Sequence, residues 1–177
     1  MRRIDRDKSY VYTTGAADLL YALQDEKQFL KLLADNGKSY KPLLKYLSVH
    51  EWDHNVKGSL KLKTMAADLN ITQAKLNKQL LEVYTDIWEL NDKHSELFNF
   101  CNGDEFCFLF SHSYKGYYAF TLWLRQPIQA GGRFSFPFLA GKFGIHNMFI
   151  IENMSYEYLN GRLVTEVFCK ENYNTSV

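Results

Sequence analysis

Apolar side chains recur at helical spacing through the first hundred or so residues and at alternate positions thereafter, so the chain changes grammar near Asn99. That change predicts an α+β fold, with an N-terminal helical region over 1–98 and an antiparallel β domain of about five strands over 99–177. In the first part, Thr14 is expected to cap a helix over Ala16 to Leu23. Asp25 with Gln28 has the spacing of a capping box for a helix carrying Phe29, Leu32 and Leu33, which Asn36-Gly37 closes. Ser39 opens a third helix with Pro42 in its first turn and Leu43, Leu44 and Leu47 toward a core. A longer helix starts after Thr72, where Leu76, Leu80, Val83, Tyr84, Ile87 and Leu90 keep a helical period up to a break at Asn91.

In the second part, Phe106, Phe108 and Phe110 alternate, as do Tyr118, Phe120, Leu122 and Leu124, and the two runs are expected to form a hairpin through Tyr114-Lys115-Gly116. Phe134, Phe136 and Phe138 mark a third strand, and Pro137 puts it at an edge or a bulge. Asn160-Gly161 between two further alternating runs is a strong signal for a two-residue hairpin turn. If Tyr118 and Phe120 face the interior, Tyr117, Trp123 and Arg125 form an outer face apolar enough to want a partner, a second layer or a dimer contact.

The 177 residues are 46% hydrophobic and 16% aromatic, enough for a folded core, and contain neither a fixed-period repeat nor a low-complexity tract. Three cysteines, none in metal-ligand spacing, fit a reduced compartment rather than a disulfide framework. With no apolar run long enough to span a bilayer, the expectation is a cytoplasmic protein without a membrane partner. The net charge of +1 hides a local asymmetry. Between Lys38 and Lys78 eight lysines face only Glu51, Asp53 and Asp68. From Leu81 to Glu105 the sign reverses, and Lys93 is the sole basic residue.

Within the basic stretch, Leu60 to Leu81 carries two apolar half-faces, Met65, Ala66 and Leu69 and then Ala74, Leu76 and Leu80, on either side of a turn at Asn70. Those residues resemble a helix-turn-helix DNA-binding unit, with Asn70 where a glycine often makes the turn. The resemblance is confined to this stretch. It implies that Thr72 caps a second helix whose Gln73, Lys75, Asn77 and Lys78 enter a major groove, while Lys57, Lys61 and Lys63 hold the backbone. Asn and Gln suit adenine edges, and lysines suit phosphates or guanine. In a winged variant, Ser111 to Tyr118 would form the tip of a hairpin and expose His112, Lys115 and Tyr117, although Asn91 to Glu105 lies in between.

His50-Glu51-Trp52-Asp53-His54 also matches H-E-x-x-H, in which His50 and His54 would bind zinc and Glu51 would activate water. Its position at a helix end, the charge of Asp53 and the lack of a signposted third ligand favour a structural role. Ala130-Gly131-Gly132-Arg133 lacks the lysine and hydroxyl of a phosphate loop, so no cofactor is expected from it. The expected function is therefore a small DNA-binding regulator whose β half serves dimerisation or effector sensing. A non-catalytic protein-interaction module is the alternative, and a zinc hydrolase the third reading.

Overall fold

A computed structural model describes residues 15–24, 26–34, 37–50, 62–112, 116–143, 148–159 and 161–171. Helices α1 (Ala16–Gln24), α2 (Lys27–Leu32), α3 (Lys41–Val49), α4 (Leu62–Asp68) and α5 (Gln73–Lys93) come first. Strands β1 (Asp104–His112), β2 (Gly116–Leu124), β3 (Arg133–Ser135), β4 (Met148–Leu159) and β5 (Arg162–Glu171) follow, with a short α6 (Ala140–Phe143) between β3 and β4. This is the α+β order that the hydrophobic pattern predicts.

The sheet runs in the order β2-β1-β5-β4-β3. It is mixed rather than wholly antiparallel, because β1 and β5 pair in parallel from Phe106 opposite Thr165 to Ser111 opposite Lys170. Phe106, Phe108 and Phe110 are all buried, as are Thr165, Val167 and Cys169 beside them. A run of phenylalanines that must be covered on both flanks belongs in the middle of a sheet, and β5 supplies the second neighbour. The two expected hairpins are present. β1 and β2 pair from Asp104 opposite Leu124 to His112 opposite Gly116, and β4 and β5 meet at Leu159 opposite Arg162, with Gly161 at φ 83°.

β3 is an edge strand of three residues. Pro137 cannot continue a ladder, so Phe138 enters a 3-10 turn (Pro137–Leu139) instead of the predicted strand. Phe136 and Phe138 still reach the core, where they join Phe29, Phe98 and Phe120 between the helices and the sheet. Tyr84 donates to the Phe138 carbonyl at 2.9 Å. Beside it, a Cβ on Gly141 would lie 2.4 Å from the Tyr84 ring, so only glycine fits there.

Some helix starts differ from the expected ones. Thr14, Asp25 and Asn36 lie outside the described residues. Gly15 donates to the Asp18 carboxylate at 3.0 Å at the start of α1, and Glu26 is the N-cap of α2 without a side-chain cap. Tyr40, not Ser39, precedes α3, because burying its ring outweighs a hydroxyl cap: Tyr40 is fully buried and its hydroxyl donates to Asp86. Leu43, Leu44 and Leu47 face the core as expected.

Asn91 does not break α5. The residue is 3% exposed and its amide pairs with edge strand β2, donating to the Thr121 carbonyl and accepting from the Thr121 N–H, both at 2.8 Å. The side chain thus imitates a neighbouring strand for one residue and closes part of an open sheet edge. Asn91→Ala should lower the unfolding free energy by about 2 kcal/mol, since both Thr121 groups lose a partner. Urea unfolding would show it, and Asn91→Asp should restore only the accepting half.

Trp123 is also placed differently from the expectation. Its indole N–H donates to the Ser95 carbonyl at 2.9 Å and its ring is packed against the core, so it is not a free outer surface. Tyr117, 80% exposed, does stand in solvent. The β1–β2 hairpin is not a free-standing wing either, since β1 is bonded on its other side to β5. Lys115 and the side chain of His112 lie outside the described residues.

Candidate nucleic-acid interface

α4 and α5 are joined by a turn whose geometry follows from Asn70. Its φ of 53° is left-handed, a region that asparagine tolerates better than most residues, and it lets Asn70 N–H bond Ala67 O and Ile71 N–H bond Ala66 O, both at 2.9 Å. Those two bonds close the C-terminus of α4. Two residues later the Thr72 hydroxyl accepts from the Lys75 N–H at 3.2 Å, which caps α5. Met65, Ala66, Leu76 and Leu80 are buried between the two helices and the rest of the core, and Leu69 is half-buried.

Thr72, Gln73, Lys75, Asn77 and Lys78 are all exposed, as is Lys63 on α4. Ala74, expected in the buried set, is exposed as well. The buried stripe of α5 begins at Leu76 rather than Ala74, and Gln73, Ala74 and Lys75 of the first turn are all exposed. Lys61 and Lys57 lie outside the described residues. Sequence reasoning missed Leu81, 52% exposed and seven residues after Ala74. On a helix that spacing puts Ala74, Lys78 and Leu81 on one outward stripe, with Asn77 beside it. An apolar residue breaking the polar face was the signal for it.

The charge of α5 changes along its length. Its first turn has no acidic residue, and Lys75 and Lys78 precede Glu82, Asp86, Glu89 and Asp92. Asp86 is engaged by Lys38 at 2.7 Å, and that bond holds the Lys38 ammonium pKa above its usual value. Lys38 therefore belongs to the acidic end of α5 and not to the exposed basic face.

Tyr46 on α3 anchors α4 through a 2.8 Å bond from its hydroxyl to Asp68. Burial, reinforced by that bond, pushes its pKa up to about 12 from an ordinary 10.0. The folded protein keeps a proton that the unfolded chain releases, so the associated stability is complete below pH 10 and is lost toward pH 12. Melting temperatures measured across that window should fall more steeply for the wild type than for Tyr46→Phe.

His50 follows α3 as its C-cap in extended conformation, with its ring stacked on Tyr46 at 3.9 Å and Nδ1 2.9 Å from the Tyr46 carbonyl. α3 thus ends before the H-E-x-x-H pentapeptide begins, and Glu51 to His54 lie outside the described residues. No group of three or more possible metal ligands occurs among the described residues. Cys101, Cys107 and Cys169 are free thiols, the last two with pKa values raised by burial. A hollow of about 350 Å³ is lined by Phe106, Met154 and Tyr156 together with the charged Asp104, Glu105 and Arg125. No family model, curated protein or solved structure matches the chain.

Proposed function

We propose that this protein binds duplex DNA through α4 and α5, with the first turns of α5 in the major groove. The observation that carries the reading is the joint exposure of Gln73, Lys75, Asn77 and Lys78 on a capped helix start that has no acidic residue in its first turn. Lys75, Lys78 and Lys63 supply phosphate contacts, which fix register and depend on salt. Gln73 and Asn77 carry the donor-acceptor pairs that match an adenine edge. The small Ala74 side chain allows close approach, and its methyl group, with Leu81, suits the thymine methyl. Contact ends near Glu82, where the helix turns acidic and repels phosphate.

Fluorescence anisotropy with labelled duplexes at low salt is the test. Saturable binding, tighter for A·T-rich than for G·C-rich duplexes, is expected. The absence of binding to every duplex in such a panel rejects the reading. A β half that senses an effector or brings two copies together fits a small regulator.

A further inference from the structure

We infer that β4 pairs with β4 of a second copy, edge to edge and antiparallel, to form a two-fold dimer. The inference rests on the sheet and is independent of DNA binding. β3 covers β4 only at Met148, Phe149 and Ile150, although β4 runs on to Leu159. Gly131 and Gly132 then engage the carbonyl and N–H of Ile151 at 2.7 and 2.9 Å. Past Ile151, no strand among the described residues lies on that side. On the other side of the hairpin, the pairing of β5 with β1 starts only at Thr165. From Asn153 to Leu159 the outer edge of β4 therefore has no strand beside it among the described residues, while Met154, Tyr156 and Leu163 line the hollow beside Phe106 and Arg162 lies 3.5 Å from Glu105.

An unpaired edge is a template for another strand. Proteins that keep an edge single blunt it with charge, proline or a bulge. The bulge of β4 lies between Ile151 and Asn153, before the open stretch, and Asn153 to Tyr158 carries no lysine or proline and one charge, Glu157. Tyr156, Tyr158 and Leu163 are 66%, 73% and 56% exposed, a cluster of apolar surface that a second strand on this edge would cover. In a two-residue hairpin the residues flanking the turn bond each other, so Leu159, Glu157 and Ser155 bond β5 while Tyr158, Tyr156 and Met154 turn their backbone groups outward. The Met154 N–H is met by its neighbour's Asn153 Oδ1 at 2.8 Å, a side-chain substitute for a missing strand.

A second copy fits this edge by the residues that would pair across it. With the two-fold axis at Tyr156, that residue faces its own copy, Met154 faces Tyr158 and Ser155 faces Glu157. Aromatic and apolar cross-strand pairs then occupy one face, and no glutamate opposes another. Moving the axis to Glu157 would set two carboxylates together, which disfavours that register. A net charge of +1 leaves little repulsion between copies.

Light-scattering mass measurement of the full chain tests the dimer. Twice 20.7 kDa is expected for the wild type. Tyr156→Pro removes an outward N–H, and Tyr156→Lys puts charge at the axis on an already exposed position. Both should give 20.7 kDa with unchanged circular dichroism, and Tyr156→Cys treated with an added thiol oxidant such as diamide, which takes up the two electrons and two protons, should form a disulfide-linked dimer. A wild type of 20.7 kDa at every concentration overturns the inference, including the case in which the edge takes a peptide from another protein. A dimer that survives both Tyr156→Lys and Tyr156→Cys without cross-linking overturns it as well.

Discussion

Phe29→Ala is expected to lower the unfolding free energy by about 4 kcal/mol, with a drop in melting temperature on the order of 10 °C. The ring is 1% exposed, and its centroid lies 5.0 Å from Phe98, 5.8 Å from Phe120 and 5.5 Å from Phe138. Those neighbours come from the turn after α5, from β2 and from the turn before α6, so one helical side chain touches three distant parts of the chain. Truncation leaves a cavity that rigid aromatic rings cannot collapse into. Phe29→Leu should recover roughly half of the loss, because it restores volume without ring geometry. Since Phe29 joins the helical part to the sheet, far-ultraviolet dichroism and tryptophan fluorescence should report a single urea transition in both variants. Separate transitions would mean that the helices and the sheet hold their own cores, and the penalty would then appear only in the helical one.

What the sequence revealed depended on how local the cause was. Thr72 as a cap, Asn70 as a left-handed turn and Gly161 in a hairpin are each dictated within a few residues, and their geometry matches the pattern. Alternation also identified β1, β2, β4 and β5. The parallel β1–β5 pairing was not legible, because it joins strands some sixty residues apart and alternation says nothing of neighbours. Asn91 looked like a stop, since an asparagine in a helix usually is one, and only the edge of β2 turns it into a strand mimic. Parity alone puts Trp123 outward, whereas its indole is tied to the Ser95 carbonyl in the turn after α5. On α5, local spacing placed Gln73, Lys75, Asn77 and Lys78 outward correctly. It errs at Ala74, whose burial is set by tertiary neighbours rather than by spacing, and Leu81 shows only as an apolar break in the polar face.

The double variant Lys75→Ala, Lys78→Ala is expected to weaken duplex binding roughly two-hundredfold at about 50 mM salt, provided each ammonium meets a phosphate. Each contact releases close to one counterion, which multiplies the association constant by roughly fifteen at that concentration. At about 200 mM salt the same pair should matter only about twentyfold, and the slope of log affinity against log salt should flatten by about 1.8. This convergence separates phosphate contact from structural damage, because a misfolded helix would lose affinity equally at both salt concentrations. Both side chains are exposed, so folding should be unaffected, and circular dichroism checks that point. Gln73→Ala with Asn77→Ala makes the complementary test: it should leave the salt slope unchanged and reduce the preference for A·T-rich duplexes. If the lysine pair instead left both affinity and slope intact, the phosphates would have to lie elsewhere. α5 would then serve as an ordinary solvated helix.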